Sequence, residues 1–143
     1  MAIRFSIETK YSLKNRTLIK RWVKTVVENK GKKLGDLSYI LCDDDYLLEV
    51  NRRYLDHDYY TDIITFDYTE NDIIGGDLFI SLDRVRDNAA ALQLSEHEEM
   101  LRVMIHGVLH LLGLKDKSDE EAKQMRAAEE ESLELLKAMS KQN

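Results

Sequence analysis

The chain reads as an α+β protein in which a small mixed sheet of four strands packs with about five helices, and three observations carry that reading. Period-two alternation of apolar and polar residues dominates the first half, and helical spacing dominates the second. Serines at 81, 95 and 118 stand where helix caps are expected and divide the second half into separate helices. Strands mostly first and helices mostly last is the order of an α+β chain, not of a regularly alternating α/β one.

Each element follows from its own pattern. Residues 2–9 set Ile3, Phe5 and Ile7 on one side and Arg4, Ser6 and Glu8 on the other, as a half-buried strand does. Over residues 15–29 the period changes: Leu18, Ile19, Trp22, Val23, Val26 and Val27 recur at helical spacing, and Gly31 follows as a stop. Leu37, Tyr39 and Leu41 mark a second strand. Asp43, Asp44 and Asp45 then supply the cap and first-turn acids of a helix that runs to about residue 54. After the polar loop 56–62, Ile63, Ile64 and Phe66 form a third strand and Leu78, Phe79 and Ile80 a fourth, with Asn71 and Asp72 as turn residues of a hairpin. Ser81 caps a helix to about residue 92. Ser95 and Glu98 have capping-box spacing at the start of the next, which Gly113 ends, and Ser118 and Glu121 repeat the box before a long acidic helix.

Length and composition bound the function. At 143 residues the chain fits one domain, residues 1–143, and a chain of that size buries roughly 70% of its unfolded surface. With 43% hydrophobic and 34% charged residues it is expected to fold. The start MAIRFSIETK shows neither a signal peptide nor a membrane helix, and the lone Cys42 forms no internal disulfide, so a cytoplasmic protein with no membrane partner is expected. The net charge of -6 argues against a globally basic nucleic-acid binder, yet residues 1–33 hold ten Lys and Arg against Glu8 and Glu28, a local +8 that leaves -14 elsewhere. That segment suits either phosphate contact or a plainly solvated helix face.

The chemistry lies in residues 105–117, IHGVLHLLGLKDK. His106 and His110 are one helical turn apart, so both imidazoles can reach one metal ion. Such a pair also occurs as satisfied core or surface histidines. Here, however, the apolar positions Leu101, Met104, Ile105, Val108, Leu109, Leu111 and Leu112 occupy the opposite arc, and the histidines share their stripe with Glu99 and Arg102, as on a cleft wall or in solvent. Gly107 strengthens the metal reading, because a mid-helix glycine costs about 1 kcal/mol relative to alanine and implies a close approach. Gly113 can turn the chain back so that a later residue supplies a third ligand. Zincin proteases carry a glutamate general base directly after the first histidine, where this chain has Gly107. What remains is a metal site at the C-terminal end of the helix, with a metal-activated water as nucleophile and hydrolysis as the reaction class.

At this point the sequence resembles a known family, the YbeY-type endoribonucleases of bacterial ribosomal RNA maturation. Their helix motif H-G-x-L-H-L-x-G is matched by His106, Gly107, Leu109, His110, Leu111 and Gly113. An upstream L-N-x-x-Y-R, polar loop and P-T-D-V-L-S-F are matched at Asn51, Tyr54, Thr61, Asp62, Ile63, Ile64, Thr65 and Phe66, and a G-D-I strand at Gly76, Asp77 and Leu78. Aligned without a gap, Asp116 takes the place of the family's third histidine; a gapped alignment sets Lys117 there, and a protonated lysine cannot ligate. The family's loop arginine falls on Leu55, with Arg52 and Arg53 nearby as substrate-binding substitutes, and Tyr60 replaces the loop proline.

The resemblance implies a metal-dependent endoribonuclease acting on single-stranded rRNA precursors in ribosome biogenesis. It further implies one zinc ion per chain on His106, His110 and Asp116, and ribosomal or ribosome-associated partners. No catalytic side chain beyond the ligands is identified. The alternative is a non-catalytic, metal-stabilised RNA-binding or ribosome-assembly factor. Among the remaining residues, His57 and His97 read as exposed, while Tyr59, Tyr60 and Tyr68 are candidates either to stack on unpaired bases or to pack against the sheet.

Overall fold

The structure, a computed structural model, describes residues 2–141. The elements follow in the order β1 (Ile3–Ile7), α1 (Arg16–Asn29), β2 (Lys33–Cys42), α2 (Asp44–Leu55), β3 (Ile63–Asp67), β4 (Ile73–Ser81), α3 (Leu82–Leu92), α4 (Glu96–Leu111) and α5 (Asp119–Lys141). The four strands form one mixed sheet in the order β1-β2-β4-β3. β1 and β4 both pair with β2 in parallel, and β3 runs antiparallel to β4 with Thr65 opposite Leu78. The expected α+β architecture and the hairpin are therefore present. β2 is longer than its alternating core suggests, reaching back to Lys33 through a bulge between Leu34 and Leu37 that interrupts the period-two pattern.

The two faces of the sheet are covered unequally. Leu37, Tyr39, Leu41, Ile74, Leu78 and Ile80 pack under α1 and α4 in the main core, which continues to α5 beyond them, while α2 closes a smaller cluster of Cys42, Leu47, Val50 and Ile64 on the other face. Two aromatic residues tie the main layers together. Fully buried Trp22 of α1 donates its indole N–H to the Ser132 carbonyl of α5 at 2.7 Å, and the Tyr39 hydroxyl of β2 donates to the Met104 carbonyl of α4 at 3.0 Å. Each buries a large apolar body while its one polar tip is satisfied. α4 thus runs between sheet and α5, with residues of nearly every face buried.

Two devices aim α4. Its start is held by the Ser95–Glu98 capping box, in which both reciprocal hydrogen bonds are formed. Its end is a Schellman turn: Gly113 adopts φ 102°, the Gly113 N–H donates to the His110 carbonyl at 2.9 Å and the Leu114 N–H to the Leu109 carbonyl at 3.0 Å. The chain reverses there, which carries residues 114–118 back beside the last turn of α4.

Candidate metal centre

That reversal assembles the site. The Asp116 carboxylate Oδ2 lies 3.3 Å from Nε2 of His106 and 3.3 Å from Nε2 of His110, and the ligand-capable atoms of the three residues all fall within 4.8 Å of one another. The two imidazoles are 4.5 Å apart between centroids and nearly perpendicular, at 85°. A charge-assisted hydrogen bond would be about 2.7–2.9 Å. The observed spacing instead matches the edge, about 3.3 Å, of a tetrahedron with the 2.0–2.1 Å bonds typical of zinc on nitrogen and oxygen. On that spacing the three residues could together hold a divalent ion. Lys117, the rival third position, is exposed.

The second ring nitrogens are occupied as a metal site requires. His110 donates from Nδ1 to the Leu114 carbonyl at 2.9 Å, so the Gly113 turn orients this ring as well as reversing the chain. Nδ1 of His106 meets Oε2 of Glu129, on α5, at 2.6 Å. A neutral imidazole that donates from Nδ1 presents a free lone pair at Nε2.

Glu129 is the residue that sequence reasoning missed, and Glu99, already placed on the histidine stripe, is buried with Arg102 as its partner, which was not foreseen. The stripe of Glu99, Arg102, His106 and His110 was expected to face a cleft or solvent along its length. Only its histidine end does so, because α5 covers the rest: Glu99 is 0% exposed and Glu129 2%. The Arg102 guanidinium lies between these two acids, donating to both oxygens of Glu99 and to Oε1 of Glu129 at 3.1 Å. Paired in this way, Arg102 holds its charge even more firmly than usual, first through Glu99 and despite burial. Burial pushes the Glu129 carboxyl up, but His106 and Arg102 outweigh it and leave its pKa below the ordinary carboxylate value. Nothing local marked Glu129, one acid among many on α5.

Gly107 has the close approach its position implied: a Cβ there would stand 2.8 Å from Ile63 Cδ1 and 3.2 Å from both Leu78 methyls. Helix α4 thereby lies directly against β3 and β4. A cleft of about 490 Å³ opens between β3, the 56–62 loop and the cage, lined among others by Asn51, His57, Tyr59, Thr61, Thr65 and Asp67. Asn51 is buried and donates to the Tyr59 carbonyl at 2.9 Å, pinning the loop to α2. Along β3, the bonds from Ser81 N–H to the Asp62 carbonyl and from Tyr68 N–H to the Gly75 carbonyl set the ladder phase. By that phase the backbones of Ile63, Thr65 and Asp67 turn away from β4, and all three residues line the cleft.

The remaining expected residues are placed as follows. Arg52 pairs with Asp58 at 2.5 Å and Arg53 with Glu49 at 3.3 Å, and neither lines the metal cleft. His57 lines it and stacks on Tyr59, whose hydroxyl shares a 3.0 Å hydrogen bond with His57 Nδ1. Tyr59, Tyr60 and Tyr68 are each more than half exposed, and His97 is half-buried.

Fold and site together define a class: an α+β protein with a helix-borne pair of histidines and one carboxylate, grouped so that they could hold a metal ion at the wall of an open cleft. The family model described as Endoribonuclease YbeY matches residues 4–137, and the chain belongs to that family. Relatives bearing the name Endoribonuclease YbeY include one from Porphyromonas gingivalis, 56% identical over 85% of this chain and 80% of its own. Another, from Flavobacterium psychrophilum, is 47% identical over 94% of this chain and 96% of its own. The solution structure of TM1509 from Thermotoga maritima shares the fold, with a TM-score of 0.68 and 25% identity over 99% of this chain and 93% of that one.

Proposed function

We propose that the protein is a metal-dependent endoribonuclease that cuts single-stranded rRNA precursors during ribosome maturation in the cytoplasm, with one zinc ion on His106, His110 and Asp116. The observation that carries the reading is the 3.3 Å spacing of Asp116 from both histidines, in a chain whose relatives are named endoribonucleases. When bound, the ion lowers the pKa of a water toward neutrality and so provides a nucleophile for the phosphodiester. The chain's own residues do the rest. His106, His110 and Asp116 hold the ion at the cleft wall, the outward backbone groups of Thr65 and Asp67 and the hydroxyl of Thr65 offer neutral hydrogen bonds to the RNA, and exposed Tyr59 offers a stacking face. Ribosomal or ribosome-associated proteins would bring the substrate to the cleft.

A second reading, a non-catalytic RNA-binding or assembly factor whose metal only stabilises the 113–118 turn, is favoured by one observation: no Lys or Arg among the described residues lines the cleft. The purified protein separates the two. Elemental analysis should find about one zinc per chain, and cleavage of a single-stranded rRNA precursor should stop on chelation and return on adding zinc. RNA binding without metal-dependent cleavage would establish the second reading.

A further inference from the structure

We propose that Glu129, which contributes no ligand atom, is a positioning residue of the metal site: anchored by Arg102, it holds His106 in the tautomer and ring orientation that turn Nε2 toward the ion. The inference rests on the metal reading above and extends it to α5. Three observations support it. The contact between Glu129 Oε2 and His106 Nδ1, at 2.6 Å, is shorter than the corresponding 2.9 Å contact of His110 with a backbone carbonyl. A carboxylate acceptor makes roughly twice as strong a hydrogen bond as a neutral one, so the two rings are held unequally. Glu129 is also buried, where an acid without partners is costly, and each of its oxygens is committed: Oε2 to His106 and Oε1 to Arg102. Finally, Arg102 is itself fixed by fully buried Glu99, so the carboxylate cannot swing away from His106 without breaking a paired cluster.

The charge count gives the network its direction. The two buried acids and the Arg102 guanidinium between them leave a single negative charge beside His106, partly offset by the half-exposed Arg126, 3.9 Å from Glu129 Oε1, and a carboxylate on the far side of a ligating imidazole raises the basicity of its metal-binding nitrogen. His110 has only the local Gly113 turn behind it. The hold on His106 therefore depends on a residue 23 positions away, delivered by the packing of α5 on α4.

The decisive variant is Glu129→Gln, which keeps the volume but has one oxygen, so it can accept from Arg102 or from His106 and not from both. Zinc affinity is measured by competition with a chromophoric chelator, and the tautomers of His106 and His110 by long-range proton–nitrogen NMR at pH 8. The expected result is a loss of zinc affinity of about 10- to 100-fold, the usual effect of removing an outer partner of a ligand, with the Nδ1–H form of His106 no longer dominant and that of His110 intact. The loss should vanish in a His106→Ala background and persist in a His110→Ala background. Glu129→Asp, which keeps a charge against Arg102 while withdrawing it from His106, should show the same loss with wild-type circular dichroism. Unchanged zinc affinity in folded Glu129→Gln, or an equal loss without His106, would overturn the assignment. A wild-type protein that takes up no zinc would instead refute the metal reading on which it stands.

Discussion

At the scale of single residues, the candidate ligand that sets the charge of the site is Asp116. Two neutral imidazoles leave a divalent ion at +2, and a carboxylate brings the inner sphere to +1, which strengthens retention and weakens the field acting on a bound water. An aspartate also reaches less far than a histidine, yet with the chain reversed at Gly113 Asp116 Oδ2 is equidistant, at 3.3 Å, from both Nε2 atoms. Asp116→Asn should therefore lower zinc affinity by at least the roughly 10- to 100-fold typical of losing an outer-sphere partner. Exposed Lys117→Ala should leave it within about twofold of wild type, since a protonated lysine is no ligand. Chelator competition on the two variants checks this, and the opposite ranking would remove Asp116 from the ligand set.

At the scale of elements, α4 is coupled to the sheet through Gly107. Gly107→Ala improves helix propensity by about 1 kcal/mol, but its methyl meets Ile63 Cδ1 at 2.8 Å and both Leu78 methyls at 3.2 Å. Overpacking of this kind typically costs about 1–3 kcal/mol, so the variant should show a lower urea midpoint and, by pushing the histidines away from β3, weaker metal binding. An unchanged or higher midpoint would mean that Ile63 moves aside freely. The basic segment follows a different logic. Lys20 and Lys24 project from the exposed side of α1 and are not among the cleft-lining residues. Lys32 is partly engaged in a 3.0 Å pair with Asp72. If α1 contacts RNA phosphates, replacing Lys20 and Lys24 by Gln should flatten the plot of log affinity against log salt by about 0.7 per lost contact on single strands, with metal content unchanged. An unaltered slope would assign the segment to solvent.

For the whole molecule, acid is expected to loosen the helices around the site in a defined sense. Glu98 and Glu121 close the capping boxes of α4 and α5, and the backbone N–H groups of Ser95 and Ser118 hold their carboxyls below the ordinary value. A depressed folded pKa means that the stabilisation is present above the unfolded pKa and is lost as pH falls through the folded one. The combined variant Glu98→Gln and Glu121→Gln should thus be less stable than wild type at pH 7, and the difference should shrink as pH drops below about 4, where the native carboxyls take up protons. Urea unfolding at pH 7, 5 and 3 tests this. A difference that stays constant across that range would mean that the carboxylate charge contributes nothing to the caps.

Much of this protein was legible in one dimension because the relevant physics is local. Period-two and helical spacing are set by backbone geometry, so β1, α1, the β3–β4 hairpin and the capped helices could be read off directly. The same is true of His106 and His110, whose shared face follows from one helical turn, and of the glycines at 107 and 113, whose sites demand a close approach and a left-handed turn. The strand order, with β2 between β1 and β4, was not legible, because it depends on how separate helices cover the two faces of the sheet. Nor was the fate of the Glu99 stripe. A polar stripe has the same sequence whether it faces water or a buried partner, and only the docking of α5 over α4 makes Glu129 the partner of both Arg102 and His106. That the Asp116 carboxylate meets both histidines was likewise not legible, since it depends on where the turn after Gly113 delivers its oxygen, and that is a property of the folded chain.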